Sequence, residues 1–188
     1  MTQQITMKKT VFNTVGTKTA AAAVAVAAAV LLPQLFHMLG AVSGLGTALG
    51  QTFLPMHLPV LLVGLLAGPT AGFAAGALSP LISFALSGMP LLSSLPFMVI
   101  ELAFYGLTAG FLASRNLPVI FKLLAAQLAG RAVKAIAVFL AVYALNSHAA
   151  AVSSIWTGVV SGLPGLILQW SLIPLLMFRI THSEQNHA

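Results

Sequence analysis

The chain contains no cysteine and very little charge. Without a thiol there is no disulfide, no thiolate nucleophile and no cysteine metal site. Charged residues make up 5% of the sequence, against about 25% in an ordinary soluble domain. Acidic residues are the scarcest: Glu101 and Glu184 are the only two. Residues 19–100 and 135–178 hold no Asp, Glu, Lys or Arg at all, so no stretch is polar enough to form a separate water-facing domain. Sequence signatures of catalysis are missing too. There is no His-Glu-x-x-His, no Gly-x-Ser-x-Gly, no Walker motif and no dinucleotide fingerprint. No plausible nucleophile–base pair stands out either, so an enzyme is not expected, nor a metal or cofactor held by this chain.

What is present is apolar. Hydrophobic residues account for 59% of the 188, and the mean hydropathy is +1.03. That composition belongs to an all-α, multi-pass membrane protein, expected in a bacterial plasma membrane and surrounded by lipid. The net charge of +6 comes from few and dispersed cations. They read as topology signals and not as a nucleic-acid surface.

A bilayer core needs about 20 apolar residues per helix, and six spans fit the pattern. The first runs from Val15 to Leu32, with Pro33 as a break. Its cationic lead, Lys8, Lys9 and Lys18, resembles a signal peptide, but the rest of the chain stays in the membrane, so a first transmembrane helix is the better reading. The others are Leu54–Ala67, Ala71–Leu86, Leu91–Ser114, Leu117–Asn146 and Ile155–Phe178, the last bent at Gly162–Gly165. Residues 34–53 are too polar for an easy span and too apolar for a free loop. They read as a broken helix or lid across one mouth of the bundle. The domain plan is a tail over 1–14, one six-helix domain over 15–180 and a second tail over 181–188.

Six spans place both termini on one side. Lys8, Lys9, Lys18, Arg115, Lys122 and Arg179 then share one face, expected to be cytoplasmic, and the opposite loops 34–53, 87–90 and 147–154 carry no Lys or Arg. Trp156 falls at the outer interface, where an aromatic belt residue belongs.

Two cations remain, in the middle of the fifth span. Gln127, Arg131 and Lys134 stand at i, i+4 and i+7, on one helical face. A charge at bilayer mid-depth costs about 2.5–3.5 kcal/mol on insertion scales and normally faces a bundle interior or a wet cavity. Glu101 is about 15 Å from the outer end of its helix and Lys134 about 18 Å, so the two lie at similar depth and a pair is geometrically possible. One carboxylate does not neutralise two cations. A second anion is therefore expected from outside the chain. The bland alternative is a structural ion pair with the spare cation reaching for water.

Several ordered stretches carry a family resemblance. They are Phe53-Leu-Pro-Met-His-Leu-Pro-Val-Leu-Leu62, Gly68-Pro69, Leu78-Ser-Pro-Leu-Ile-Ser83, Ser87-Gly-Met-Pro90, Glu101-Leu-Ala-Phe-Tyr-Gly-Leu107 and Gly162-Leu-Pro-Gly-Leu-Ile-Leu-Gln169 before Ile173-Pro174. The series resembles the substrate-binding S components of energy-coupling factor (ECF) vitamin transporters, most closely the pantothenate-type members. The resemblance implies an S-component-like bundle that captures a vitamin from outside. It also implies partners: a transmembrane coupling protein and two cytoplasmic ATPases that supply the ATP chemistry. In that family an Ala-xxx-Ala surface on the first helix contacts the coupling protein. Ala21, Ala25 and Ala29, with Ala23 and Ala27, stand in that place, although a small-residue row also serves internal helix packing.

Within that frame Arg131 and Lys134 are expected to bind the carboxylate of an acidic vitamin, with Glu101 balancing one of them. Pantothenate, with one carboxylate, hydroxyls and an amide, fits, and folate or another water-soluble vitamin is the alternative. Gln127 and Gln169, and Asn146 near the mouth, are candidate hydrogen-bonding groups. Tyr105, at i+4 from Glu101, is placed to donate a phenolic bond. Trp170 or Phe53 would cover the ligand's methyl groups. For Gln127 and Gln169, helix–helix hydrogen bonds are the competing role. His57 reads either as a ligand contact or as a satisfied core residue, and His37 as a solvated loop residue. A different class of reading is a stand-alone secondary transporter with Glu101 as proton carrier, although the two halves share no visible similarity.

Overall fold

The first helix begins where the sequence provides a reciprocal cap. The Thr14 hydroxyl accepts the Thr17 N–H, and the Thr17 hydroxyl accepts the Thr14 N–H, each at 3.2 Å. Two of the amides that a helix start leaves unpaired are thereby satisfied. From there α1 runs over Val15–Val42, 28 residues, about 42 Å at 1.5 Å per residue and longer than a ~30 Å hydrocarbon core. Pro33 lies inside it, where a break was expected. Proline removes one i→i−4 bond, and a neighbouring helix in a membrane bundle tolerates that loss.

The computed structural model describes residues 12, 14–146 and 152–185. After α1 come α2 (Ala48–Phe53), α3 (His57–Ala67), α4 (Pro69–Ser87), α5 (Leu95–Ala113), α6 (Val119–Phe139), α7 (Ser153–Ser161) and α8 (Leu163–Gln185). A π-helical turn, Leu140–Ala144, extends α6. Six stretches are long and apolar enough to cross a membrane, with α2 and α3 together forming the second and α8 the sixth. The described residues contain no strand. The chain is an all-α, multi-pass membrane protein. Three expected boundaries shift. Residues 34–42 are the end of α1, Ala48–Phe53 forms α2, and the sixth expected span divides at Gly162 into α7 and α8. Residues 147–151, most of one expected loop, and residues 1–11, 13 and 186–188 of the tails lie outside the described set.

Helix α5 lies at the centre, packed by α3, α4 and α6. Its seam with α4 is glycine on glycine. A Cβ at Gly106 would strike the Gly72 carbonyl, and one at Gly72 would strike the Gly106 carbonyl. The backbones therefore touch directly, the close approach that small residues permit in lipid. Against this pair the main core gathers Leu61 and Leu65 of α3, Leu102 and Tyr105 of α5, Leu123 of α6 and Ile173 of α8. A second cluster joins α1, α3 and α4 through Ala25, Val63, Ala67, Ala71 and Ala75.

The α1 alanines divide between two environments. Ala25 is 8% exposed and Ala29 fully buried, with Ala21 half-buried beside them. The longest small-residue row is thus an internal packing face, and Ala25 and Ala29 are not available to a partner. Ala23 and Ala27 are exposed and line an apolar groove with Ile82 and Leu86 of α4. Lys122, expected as a surface topology signal, has its side chain folded inward. Its Nζ donates to the Ala113 carbonyl at 2.8 Å, binding one of the free carbonyls at the C-terminus of α5.

Candidate ligand-binding cavity

The glycine seam fixes α5, and α5 in turn fixes Glu101. This carboxylate is 3% exposed. Its Oε2 accepts Lys134 Nζ of α6 at 2.7 Å, and its Oε1 accepts the Tyr105 hydroxyl, one turn along α5, at 3.2 Å. The pairing that equal depth allowed is formed, whereas the Tyr105 hydroxyl, expected among the ligand contacts, is taken by Glu101 and lies outside the cavity lining. Tyr105 is itself fully buried. Gly130 of α6 makes room for its ring, which a Cβ there would strike. The His57 ring stands edge-on to the Tyr105 ring at a centroid distance of 5.3 Å.

Above this cluster opens a cavity of about 750 Å³, within the ~300–1,000 Å³ usual for small-molecule sites. Glu101, Arg131, Lys134 and His57 form part of its wall. The segment expected as a lid contributes His37 from the end of α1, Thr47, and Gly50 and Gln51 from α2. The α4–α5 connection adds Met89, Pro90 and Ser93. On the far side α7 presents Ser154, Thr157, Gly158 and Ser161. Thr157 and Ser161 donate their hydroxyl protons to their own helix, at 3.1 Å to Ser153 O and 2.7 Å to Thr157 O. Their oxygen lone pairs remain as acceptors on that wall.

The charge balance follows from the lining. Lys134 is matched by Glu101, so among the described lining residues one positive charge, Arg131, is left over. Its Nε is buried without a hydrogen-bond partner, and so is His57 Nδ1. A buried polar atom left unpaired costs about 1–3 kcal/mol, more when charged. Both atoms belong to residues of the cavity wall.

Other expected contacts lie elsewhere. Gln127 Nε2 donates to Gln169 Oε1 at 2.9 Å, and Trp170 Nε1 donates to Gln127 Oε1 at 2.7 Å. Gln169 Nε2 reaches the Leu54 carbonyl at 3.4 Å. This network ties α6 to α8, the helix–helix role weighed against ligand contact, and none of the three residues lines the cavity. Phe53 packs on Phe36 with centroids 5.5 Å apart, also outside the lining. Asn146 is exposed, with φ +48° at the end of the π turn. The face shared by Gln127, Arg131 and Lys134 is therefore split by depth: its inner end is packing and its outer end is cavity.

Sequence reasoning missed His37 and the α7 hydroxyls. His37 looked solvated because α1 was ended at Pro33. The α7 signal was legible: Ser154, Thr157, Gly158 and Ser161 repeat at i, i+3, i+4 and i+7, one helical face. Among the described residues no group of three or more His, Cys, Asp or Glu is placed to hold a metal ion.

The family model "ECF transporter, substrate-specific component" matches residues 9–177. No curated protein and no solved structure matches the chain.

Proposed function

The chain belongs to the substrate-specific components of ECF transporters, and from that premise we propose that it captures a small monoanionic vitamin, with pantothenate as the best fit. Members of this family are membrane subunits that bind a small molecule and work with an energy-coupling module of coupling protein and ATPases; they are not enzymes. The observation that carries the substrate reading is Arg131, the one uncompensated charge among the described lining residues, beside the neutralised Glu101–Lys134 pair. One surplus charge matches one carboxylate and leaves a dicarboxylate such as folate with an unpaired anion. Among the described lining residues Phe97 is the one Phe, Tyr or Trp. A flat ring system thus has little surface to stack on, which supports an aliphatic ligand. The acceptor oxygens of Thr157 and Ser161 suit hydroxyl or amide donors at its other end.

Arg131→Gln tests this. Loss of a charged hydrogen bond and its Coulomb attraction is expected to weaken pantothenate binding by at least about 30-fold, measured by titration calorimetry on protein in nanodiscs. Unchanged affinity would sink the carboxylate reading. Uptake by the chain alone, driven by a pH gradient, would instead favour the proton-coupled alternative.

For the coupling protein, Ala23 and Ala27 are the exposed small residues of α1 and the proposed contact. Ala27→Trp is expected to abolish co-purification with the coupling protein while pantothenate affinity stays within about twofold. Full co-purification would remove this groove from the docking role.

A further inference from the structure

We propose that the carboxylate seat is completed by His57 and the N-terminal end of α3, with Arg131, and not by Lys134. This rests on the acid-capture reading above and replaces one of its expected contacts. Three observations converge. First, His57 is 4% exposed, lines the cavity, and has an Nδ1 without a partner. A packed core histidine normally has its ring nitrogens satisfied. Second, the ring is held in place. It meets Tyr105 edge-on, and Tyr105 is anchored by its bond to Glu101 and its full burial. The ring nitrogen is therefore held in position, and with the proton on Nδ1 it is a donor. Third, His57 is the first residue of α3, whose start has no side-chain cap and no acidic residue in its first turn. Leu54, Pro55, Met56 and His57 all face the cavity. The His57 amide is already taken by the Leu54 carbonyl at 3.1 Å and Pro59 has none, so what this end offers the cavity is the positive partial charge of the α3 dipole.

Lys134 is the less suitable partner. Its Nζ is committed to Glu101 at 2.7 Å, and drawing it away would leave that carboxylate buried with the Tyr105 hydroxyl alone as its hydrogen-bond partner. Arg131 Nε and His57 Nδ1 have no hydrogen-bond partner to give up. Arg131 Nε always carries a proton and a neutral imidazole can carry its proton on Nδ1, so a carboxylate brought against both would gain two bonds without breaking one.

The test is ligand binding by full-length variants in nanodiscs, with pantothenate and its neutral alcohol analogue, pantothenol, as probes. Asparagine places an amide nitrogen near the position of Nδ1, and glutamine places one near Nε2. We expect His57→Asn to retain pantothenate binding within about fivefold, and His57→Gln and His57→Phe to lose roughly 10- to 100-fold. Wild-type protein should prefer pantothenate to pantothenol, and the His57→Phe penalty should vanish for pantothenol. If His57→Phe binds pantothenate like wild type while Arg131→Gln does not, the His57 assignment is overturned and the acid-capture reading stands. If His57→Phe weakens both probes equally, His57 does not serve the carboxylate and the assignment fails. If neither pantothenate nor any other aliphatic monocarboxylate in a thermal-shift panel binds wild-type protein, both readings fail together.

Discussion

Glu101→Leu is expected to lower the thermal unfolding midpoint by roughly 6–20 °C. The substitution leaves Lys134 and Arg131 as two cations in an apolar bundle with no protein anion among the described cavity residues. Breaking a buried pair from one side costs about 3–5 kcal/mol, because the remaining charge stays desolvated. For a chain of 150–250 residues each kcal/mol moves the midpoint by roughly 2–4 °C. Lys134→Met should be milder, since Glu101 retains Tyr105 and the nearby Arg131 charge. The double variant Glu101→Gln/Lys134→Met restores the original single surplus charge and is expected to recover most of the loss. Fluorescence-monitored melting of purified protein reads all three. A wild-type midpoint for Glu101→Leu would show that the pair does not hold α5 to α6.

The second large effect concerns backbone contact. Gly106→Leu is expected to give no folded protein. Its Cβ alone collides with the Gly72 backbone, and neither partner has a flexible side chain that might move aside. Gly106→Ala should already cost about 1–3 kcal/mol as an overpacked contact. Gly16→Ala is the matched control, because nothing lies within 4 Å of its Cβ position. There the better helix propensity of alanine should leave stability unchanged or raise it by up to about 1 kcal/mol. Yield of monodisperse protein on size exclusion, with melting where protein is recovered, distinguishes the series. Normal folding of Gly106→Leu would show that the α4–α5 seam is not closed backbone to backbone.

The same seam explains why the site is where it is. Direct backbone contact sets α5 rigidly against α4, and Gly130 lets α6 close over Tyr105. Glu101 and Lys134 therefore meet at 2.7 Å with little freedom. The cavity opens only where α5 and α6 pass beyond this tight region, under the end of α1 and beside α7.

Length, hydropathy and charge scarcity determined the class of this protein from sequence alone. The cost of exposing backbone or charge to hydrocarbon leaves few options other than apolar helices, so six spans were legible without coordinates. The Glu101–Lys134 pair was legible for a related reason: an isolated charge at mid-depth needs a partner, and equal depth narrows the choice. Rotation about each helix axis was not legible. A soluble helix marks its inner face by hydrophobicity, but α1 is apolar all round from Ala20 to Pro33, and lipid and core accept the same residues. Only the folded bundle decided that Ala25 and Ala29 face inward and Ala23 and Ala27 outward. Tertiary structure likewise decided that Gln127, Gln169 and Trp170 satisfy one another, because a buried amide takes whichever partner packing brings near. It also left His57, which read more readily as core, in the cavity wall with an unpartnered Nδ1.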